Sequence, residues 1–194
     1  FSGRIVQGYD FVSDDSIAED VHGHGTHCAG TIAGANDGTG ITGIAYNANI
    51  MPIKVLDDSG SGSWSNCAAG IRYAADNGAD VISMSLGGSS GNSLVQSAIE
   101  YASEKGVVVI SAAGNDSASA PSYPARYAVD YGMAVGAVDS SGDMASFSNL
   151  AGTTEMDYVT APGVSIYSTR VGGGYTTMSG TSMAAPHVAG IAAL

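Results

Sequence analysis

The octapeptide Gly180-Thr181-Ser182-Met183-Ala184-Ala185-Pro186-His187 sets a serine between a Gly-Thr turn and alanines, where a helix is predicted to start. A helix start presents free backbone N–H groups and the positive end of the helix dipole. A hydroxyl held there can attack a carbonyl while the same helix end stabilises the oxyanion that forms. Pro186 is read as a first-turn residue, whose missing N–H is not needed. Taken alone, the segment reads equally well as a small-residue helix start. Two further segments supply partners. Gly23-His24-Gly25-Thr26-His27-Cys28-Ala29-Gly30 places a histidine between two glycines, which strip bulk from its surroundings and let other backbone approach. The helical pattern that follows puts His24 at a helix start, where it is read as a general base. His27 falls on the same helical face and is read as a packed residue. Val107-Val108-Val109-Ile110-Ser111-Ala112-Ala113-Gly114-Asn115 is a β-branched run, read as a buried strand ending in small residues and Asn115. Asn115 reads either as a loop tip or, at the carboxyl end of a parallel strand, as an amide donor completing an oxyanion hole.

Strands and helices alternate through the region that must position these residues. Asn49 to Leu56 is predicted as a strand, Ser65 to Asn77 as a helix stopped by Gly78, and Asp80 to Leu86 as a strand. A helix from Asn92 to Lys105 carries Leu94, Val95, Ala98, Ile99 and Ala102 on one side and ends at Gly106. The next strand is Val107 to Ala112. Shorter strands follow at Met133 to Val138, Val159, Ser165 to Ser168 and Tyr175 to Met178. This order predicts parallel pairing with right-handed crossovers. No repeat, linker or second domain is visible, so residues 1–194 read as one domain, long enough to bury a large core.

The three segments together resemble the subtilisin-like serine proteases, the subtilases, over nearly the whole chain and in the family's order. Ser85-Leu86-Gly87-Gly88 matches as well. Cys28 in the histidine segment looks like the proteinase K branch, and Val55 to Gly62 with Trp64 looks like thermitase and its relatives. The resemblance implies an α/β, three-layer subtilisin-like fold, with a mainly parallel sheet and helices on both faces, incomplete at both ends. It implies a serine endopeptidase acting through an acyl-enzyme, with Ser182 as nucleophile, His24 as base and Asn115 with the Ser182 N–H as oxyanion donors. Ser85, Leu86 and Gly87 would bind substrate backbone. Ala112, Ala113 and Gly114 would wall a pocket for a large apolar side chain, and Trp64, Cys67 and Leu86 a second apolar pocket. By the same resemblance, the carbonyls of Ala35, Thr39 and Ile41 and the side chain of Asp37 would hold a structural calcium ion. No cofactor is implied for catalysis.

One departure stands out. Subtilases run Asp, His, Ser along the chain, the Asp ending an apolar strand before Ser/Thr-Gly. The acids before His24 are Asp10, Asp14, Asp15, Glu19 and Asp20, and none follows an apolar run. The expectation is a fragment of a longer protease whose catalytic Asp precedes Phe1, itself inactive, folding poorly and cut inside the helix that Ser182 opens. The alternative is a catalytically dead subtilase-like scaffold. The acidic run Asp14, Asp15, Glu19 and Asp20 is read as solvated, with a second ion site as the lesser alternative.

Composition suits a secreted protein. Hydrophobic residues make up 44% and charged residues 12%, leaving a surface of Gly, Ser, Asn and Thr. Six basic against eighteen acidic residues give a net charge of −12, which argues against nucleic acid or an anionic membrane as partner. The expected partners are protein substrates and, in the precursor, a propeptide, and the expected state is a monomer. Cys28 and Cys67 are read as two free, buried thiols.

Overall fold

The structure, a computed structural model, describes all 194 residues. Four parallel strands form the main sheet in the order β3 (Val81–Met84), β4 (Val108–Ala112), β5 (Met133–Val138), β6 (Tyr158–Pro162). Alternation along β4 sends side chains to two cores. Val109 faces α2 (Trp64–Asp76) and α3 (Ser93–Glu104), joining Cys67, Ile71, Val95 and Ile99. Ile110 and Ala112 face the opposite way, onto Ala184, Ala185 and Ala189 of α4 (Thr181–Ala192). Full burial of Ile99 or Ile110 stabilises the fold by about 1.5–3 kcal/mol each. The alanines of α4 let that helix lie close across the sheet, and α1 (His24–Ala33) packs on its outer side. Helices thus cover both faces of a parallel sheet, which places three chain ends — those of β3 and β4 and the start of α4 — at one rim.

Helix limits fall within a residue of their predicted positions because local caps fix them. Ser63 Oγ accepts from the Asn66 N–H at 3.1 Å, and Asn92 Oδ1 accepts from the Leu94 N–H at 2.9 Å. The predicted strand Asn49 to Leu56 is cut to β2, Ile53–Lys54. Its one ladder partner is the two-residue β1, Tyr9–Asp10, so regular pairing ends there. Isolated bridges from Ile50 to Ile5 and from Leu56 to Gly62 continue it irregularly. An antiparallel hairpin, β7 (Ile166–Thr169) and β8 (Tyr175–Met178), leads into α4.

The β1–β2 pair and the four-stranded sheet do not join. Between β2 and β3 runs a trough of about 1990 Å³ that continues past His24 and Ser182. Both bordering strands have an unpaired edge, and Ser83 on β3 keeps a buried hydroxyl with no hydrogen-bond partner. No helix is long and apolar enough to cross a membrane.

Candidate active site

Ser182 is the second residue of α4, at the rim where β4 ends. Its Oγ donates to the Ser85 carbonyl at 3.4 Å, and its backbone N–H lies in the first, unpaired turn of the helix. The structure corrects the placement of Pro186. It is the sixth residue of α4, inside the helix and beyond the first turn. A proline there cannot donate to the carbonyl four residues earlier, which is that of Ser182. That carbonyl accepts instead from Ser85 Oγ at 2.8 Å and from Cys28 Sγ at 3.3 Å. Burial pushes the Cys28 thiol up to about 11, so it stays protonated and able to donate. Cys67 is likewise pushed up to about 11 by burial, and both cysteines are free.

Asn115 follows β4 and faces α4. Its Oδ1 accepts from the Thr181 N–H at 2.8 Å and from Thr181 Oγ1 at 3.0 Å. A backbone N–H can only donate, so the amide orientation is fixed and the two Nδ2 donors turn away from Thr181. Thr181 Oγ1 also accepts from the Gly114 N–H at 3.1 Å, closing the loop between β4 and α4. Thr181 is fully buried. Its role escaped sequence reasoning because its partners lie 66 and 67 positions away.

His24 is the first residue of α1, half-buried on the wall of the same cleft as Ser182. Burial, then the neighbouring imidazoles of His22 and His27, lower its pKa below the ordinary histidine value, and Asp20 opposes them. Asp20 anchors the start of α1. Its carboxylate accepts from the N–H of Gly23 at 2.8 Å and from the N–H and hydroxyl of Thr26, both at 2.7 Å. Burial pushes that carboxyl up, but the bonds from Gly23 and Thr26 and the nearby His22 outweigh it and hold it below the usual range. A carboxylate preceding a Gly-x-Gly-Thr helix start was a readable cap signal; the sequence reading grouped Asp20 with solvated acids. Farther along, α1 is tied to β7. His27 donates from Nε2 to the Ile166 carbonyl at 3.0 Å, and Ser168 Oγ donates to the His27 carbonyl at 2.8 Å. His27 is therefore a packed residue directed away from Ser182.

Leu86 and Gly87 lie between the end of the β3 ladder and Gly88, which is anchored to Tyr123. Ser85, Leu86 and Gly87 line the cleft, with Trp64 and Cys67 near them. Trp64 and Leu86 are partly buried against the core that contains Cys67. Ala112 and Gly114 line the cleft, and Ala113 is fully buried behind them. A methyl group on Gly114 would meet Asn149 Nδ2 at 2.3 Å and Ser122 Oγ at 2.7 Å, so only glycine fits. Ala35, Asp37, Thr39 and Ile41 line a separate cavity of about 480 Å³. The offered donors are oxygens, which suits a hard cation, although the Thr39 N–H already holds Asp37 Oδ1 at 3.0 Å and Tyr175 donates to the Thr39 carbonyl at 3.3 Å.

A serine, a histidine and an amide side chain brought to one rim of a parallel α/β sheet define the layout of a subtilisin-type serine protease. The model of the subtilase family, Peptidase S8, matches residues 1–194. Thermitase from Thermoactinomyces vulgaris is 50% identical over 194 residues, covering 100% of this chain and 68% of that protein. Subtilisin DY from Bacillus licheniformis is 49% identical over 195 residues, covering 98% of this chain and 69% of that one. The crystal structure of a cold adapted subtilisin-like serine proteinase superposes with a TM-score of 0.89 at 45% identity, over 100% of this chain and 68% of its own. The chain belongs to the subtilase family of serine proteases.

Proposed function

We propose that this domain is the catalytic part of a secreted serine endopeptidase. Ser182 Oγ attacks the scissile carbonyl, and His24 takes its proton and returns it to the leaving amine. The Asn115 amide and the Ser182 N–H receive the oxyanion. The observation that carries this reading is the clamp of Thr181 on Asn115 Oδ1, which leaves an oriented amide donor beside the nucleophile. Substrate backbone lies along Ser85, Leu86 and Gly87, and a large apolar side chain enters between them and the Ala112–Gly114 wall. Calcium, where bound, would be held by the carbonyls of Ala35, Thr39 and Ile41 with Asp37, bracing that loop and taking no part in the reaction.

The third triad member is a carboxylate on a strand seated between β2 and β3. The unpaired edges of those strands and the partnerless Ser83 hydroxyl support this. A parallel strand there would merge the two sheets and bring its carboxyl end toward His24. Without it, residues 1–194 are expected to hydrolyse peptides poorly. The test is fluorophosphonate labelling of the chain alone and of the chain preceded by an apolar strand ending in Asp-Thr-Gly. The extended protein should label and Ser182→Ala should not. Labelling that persists in Ser182→Ala would move the nucleophile elsewhere. An extended protein that folds without labelling would favour the inactive scaffold.

A further inference from the structure

Asn149, on the loop between β5 and β6, has no part in the chemistry above, yet it is a polar side chain that is fully buried. Its amide is engaged at every donor and acceptor position. Oδ1 accepts from the N–H groups of Asp116 and Ala118, both at 2.9 Å. Two backbone donors fix which end of the amide is the oxygen. Nδ2 therefore donates to the Ala113 carbonyl and to Ser122 Oγ, both at 3.1 Å. Ser122 Oγ in turn donates to the Asp116 carboxylate at 3.3 Å. The backbone of Asn149 adds two bonds. Its N–H donates to the Gly114 carbonyl at 2.9 Å, and its carbonyl accepts from the Tyr158 hydroxyl at 2.7 Å. Tyr158 reaches it from β6 over Gly136, where a methyl group would meet that hydroxyl at 2.0 Å.

The place of these partners along the chain gives the arrangement its meaning. The Gly114 carbonyl belongs to the peptide that enters Asn115, and the Asp116 N–H to the peptide that leaves it. Asn149 thus grips the backbone on both sides of Asn115, while Thr181 grips its side chain. The same amide ties Ala113 to Ser122, and Gly114, Asp116 and Ser122 all line the cleft. Turning the amide over would set Oδ1 against the Ala113 carbonyl and Nδ2 against two N–H groups, so it has one arrangement to impose. We infer that Asn149 is a positioning residue that sets the backbone of the oxyanion donor Asn115 and the width of the apolar pocket together. Being fully buried, it acts only through these neighbours. This rests on the proposed peptidase reading and deepens it.

A purely structural role would lower the amount of active enzyme and treat every substrate alike. A positioning role leaves two signatures. Loosening the backbone of Asn115 lowers kcat whichever side chain fills the pocket. That loss should vanish once Asn115 is itself replaced, because no donor is left to misplace. Loosening the pocket costs a large apolar side chain more than a small one, since the small one gains little from the wall. The side-chain bonds of Asn149 to Ser122 and Ala113 span 27 and 36 residues, so no local pattern points to it.

The experiment compares two peptides that differ only in the scissile residue, Phe or Ala. Turnover is measured on the hydrolytically competent protein, on its Asn149→Ala and Asn115→Leu variants and on the double variant, with rates expressed per titrated active site. Dissociation constants for the same peptides are measured in a Ser182→Ala background, which needs no turnover. In Asn149→Ala, kcat should fall about tenfold for both peptides, and the preference for binding Phe over Ala should narrow about fivefold. Added to Asn115→Leu, Asn149→Ala should lower kcat no further. Parent values of kcat and of the Phe-to-Ala preference overturn the inference while leaving the peptidase reading intact. A narrowed binding preference in a protein that hydrolyses neither peptide overturns the peptidase reading and keeps Asn149 as the residue that shapes the pocket. If Asn149→Ala does not fold, Tyr158→Phe decides, because it removes the bond to the Asn149 carbonyl and leaves the pocket lining untouched. The preference should then narrow about twofold, and a preference equal to the parent's overturns the inference.

Discussion

The two halves of the cleft are held by different means. Around Ser182 and Asn115, hydrogen bonds run through the fully buried Thr181 and a core of close-packed alanines. Around His24, the start of α1 sits at the surface, fastened by the half-buried Asp20 and bordered by the exposed His22. The first half holds its donors through buried hydrogen bonds. The second is set electrostatically, because burial and then His22 and His27 lower the His24 pKa while Asp20 opposes them. The contrast separates two demands of acyl transfer: oxyanion donors must not reorganise as charge develops, whereas a base must be tuned to the working pH.

Breaking the buried half should cost most. Asn115→Leu in the competent enzyme is expected to lower kcat by about 10²–10³-fold with little change in KM, since the lost donor acts on the transition state. A loss confined to KM would assign Asn115 to substrate binding. Thr181→Val removes the hydroxyl that bridges Gly114 and Asn115. It should lower kcat by about tenfold, because the amide is less well oriented. It should also destabilise the fold by about 1–3 kcal/mol, because the Gly114 N–H is left without its acceptor. Urea unfolding together with steady-state kinetics would separate the two effects, and an unchanged kcat would free Asn115 from the clamp.

Perturbing the electrostatically set half should give smaller, pH-dependent changes. Asp20→Ala is expected to cost about 1 kcal/mol at pH 7, as for other lost helix caps. The Asp20 pKa is depressed in the folded state, so its contribution is present above the unfolded carboxyl value, near 4. It is lost as pH falls through the folded value. The gap in urea midpoint between Asp20→Ala and the parent should therefore close on acidification; a constant gap would deny the cap its charge. His22→Ala should shift the acid limb of kcat/KM upward by a fraction of a pH unit, because removing a neighbouring cation makes His24 easier to protonate. A downward shift would contradict the arrangement.

The sequence was most informative where cause and effect are close along the chain. Ser63, Asn92 and the hydrophobic spacing of Val95, Ala98 and Ile99 determine their helices locally, and the bounds followed. The stretch from Asn49 to Leu56 was over-read because its length as a strand depends on a partner, and β1 offers only two residues. Pro186 was misplaced because the helix begins at Thr181, five positions earlier, so the proline falls past the first turn. The resemblance named His24, Ser182 and Asn115, and the structure brings them along one cleft. It did not name Thr181, whose hydrogen bonds span 66 and 67 residues and leave no trace in local pattern.

Pro186 has a mechanical consequence. By denying the Ser182 carbonyl its helical partner, it opens a socket that receives one side chain from α1 and one from the segment after β3. The peptide of the nucleophile is thereby registered against two other stretches of chain instead of riding on its own helix alone. If α4 slides or tilts, the Cys28 and Ser85 contacts must break together with the first turn. The turn should therefore not fray by itself, and in hydrogen exchange the amides around Met183 should open only in events that also loosen α1 from α4.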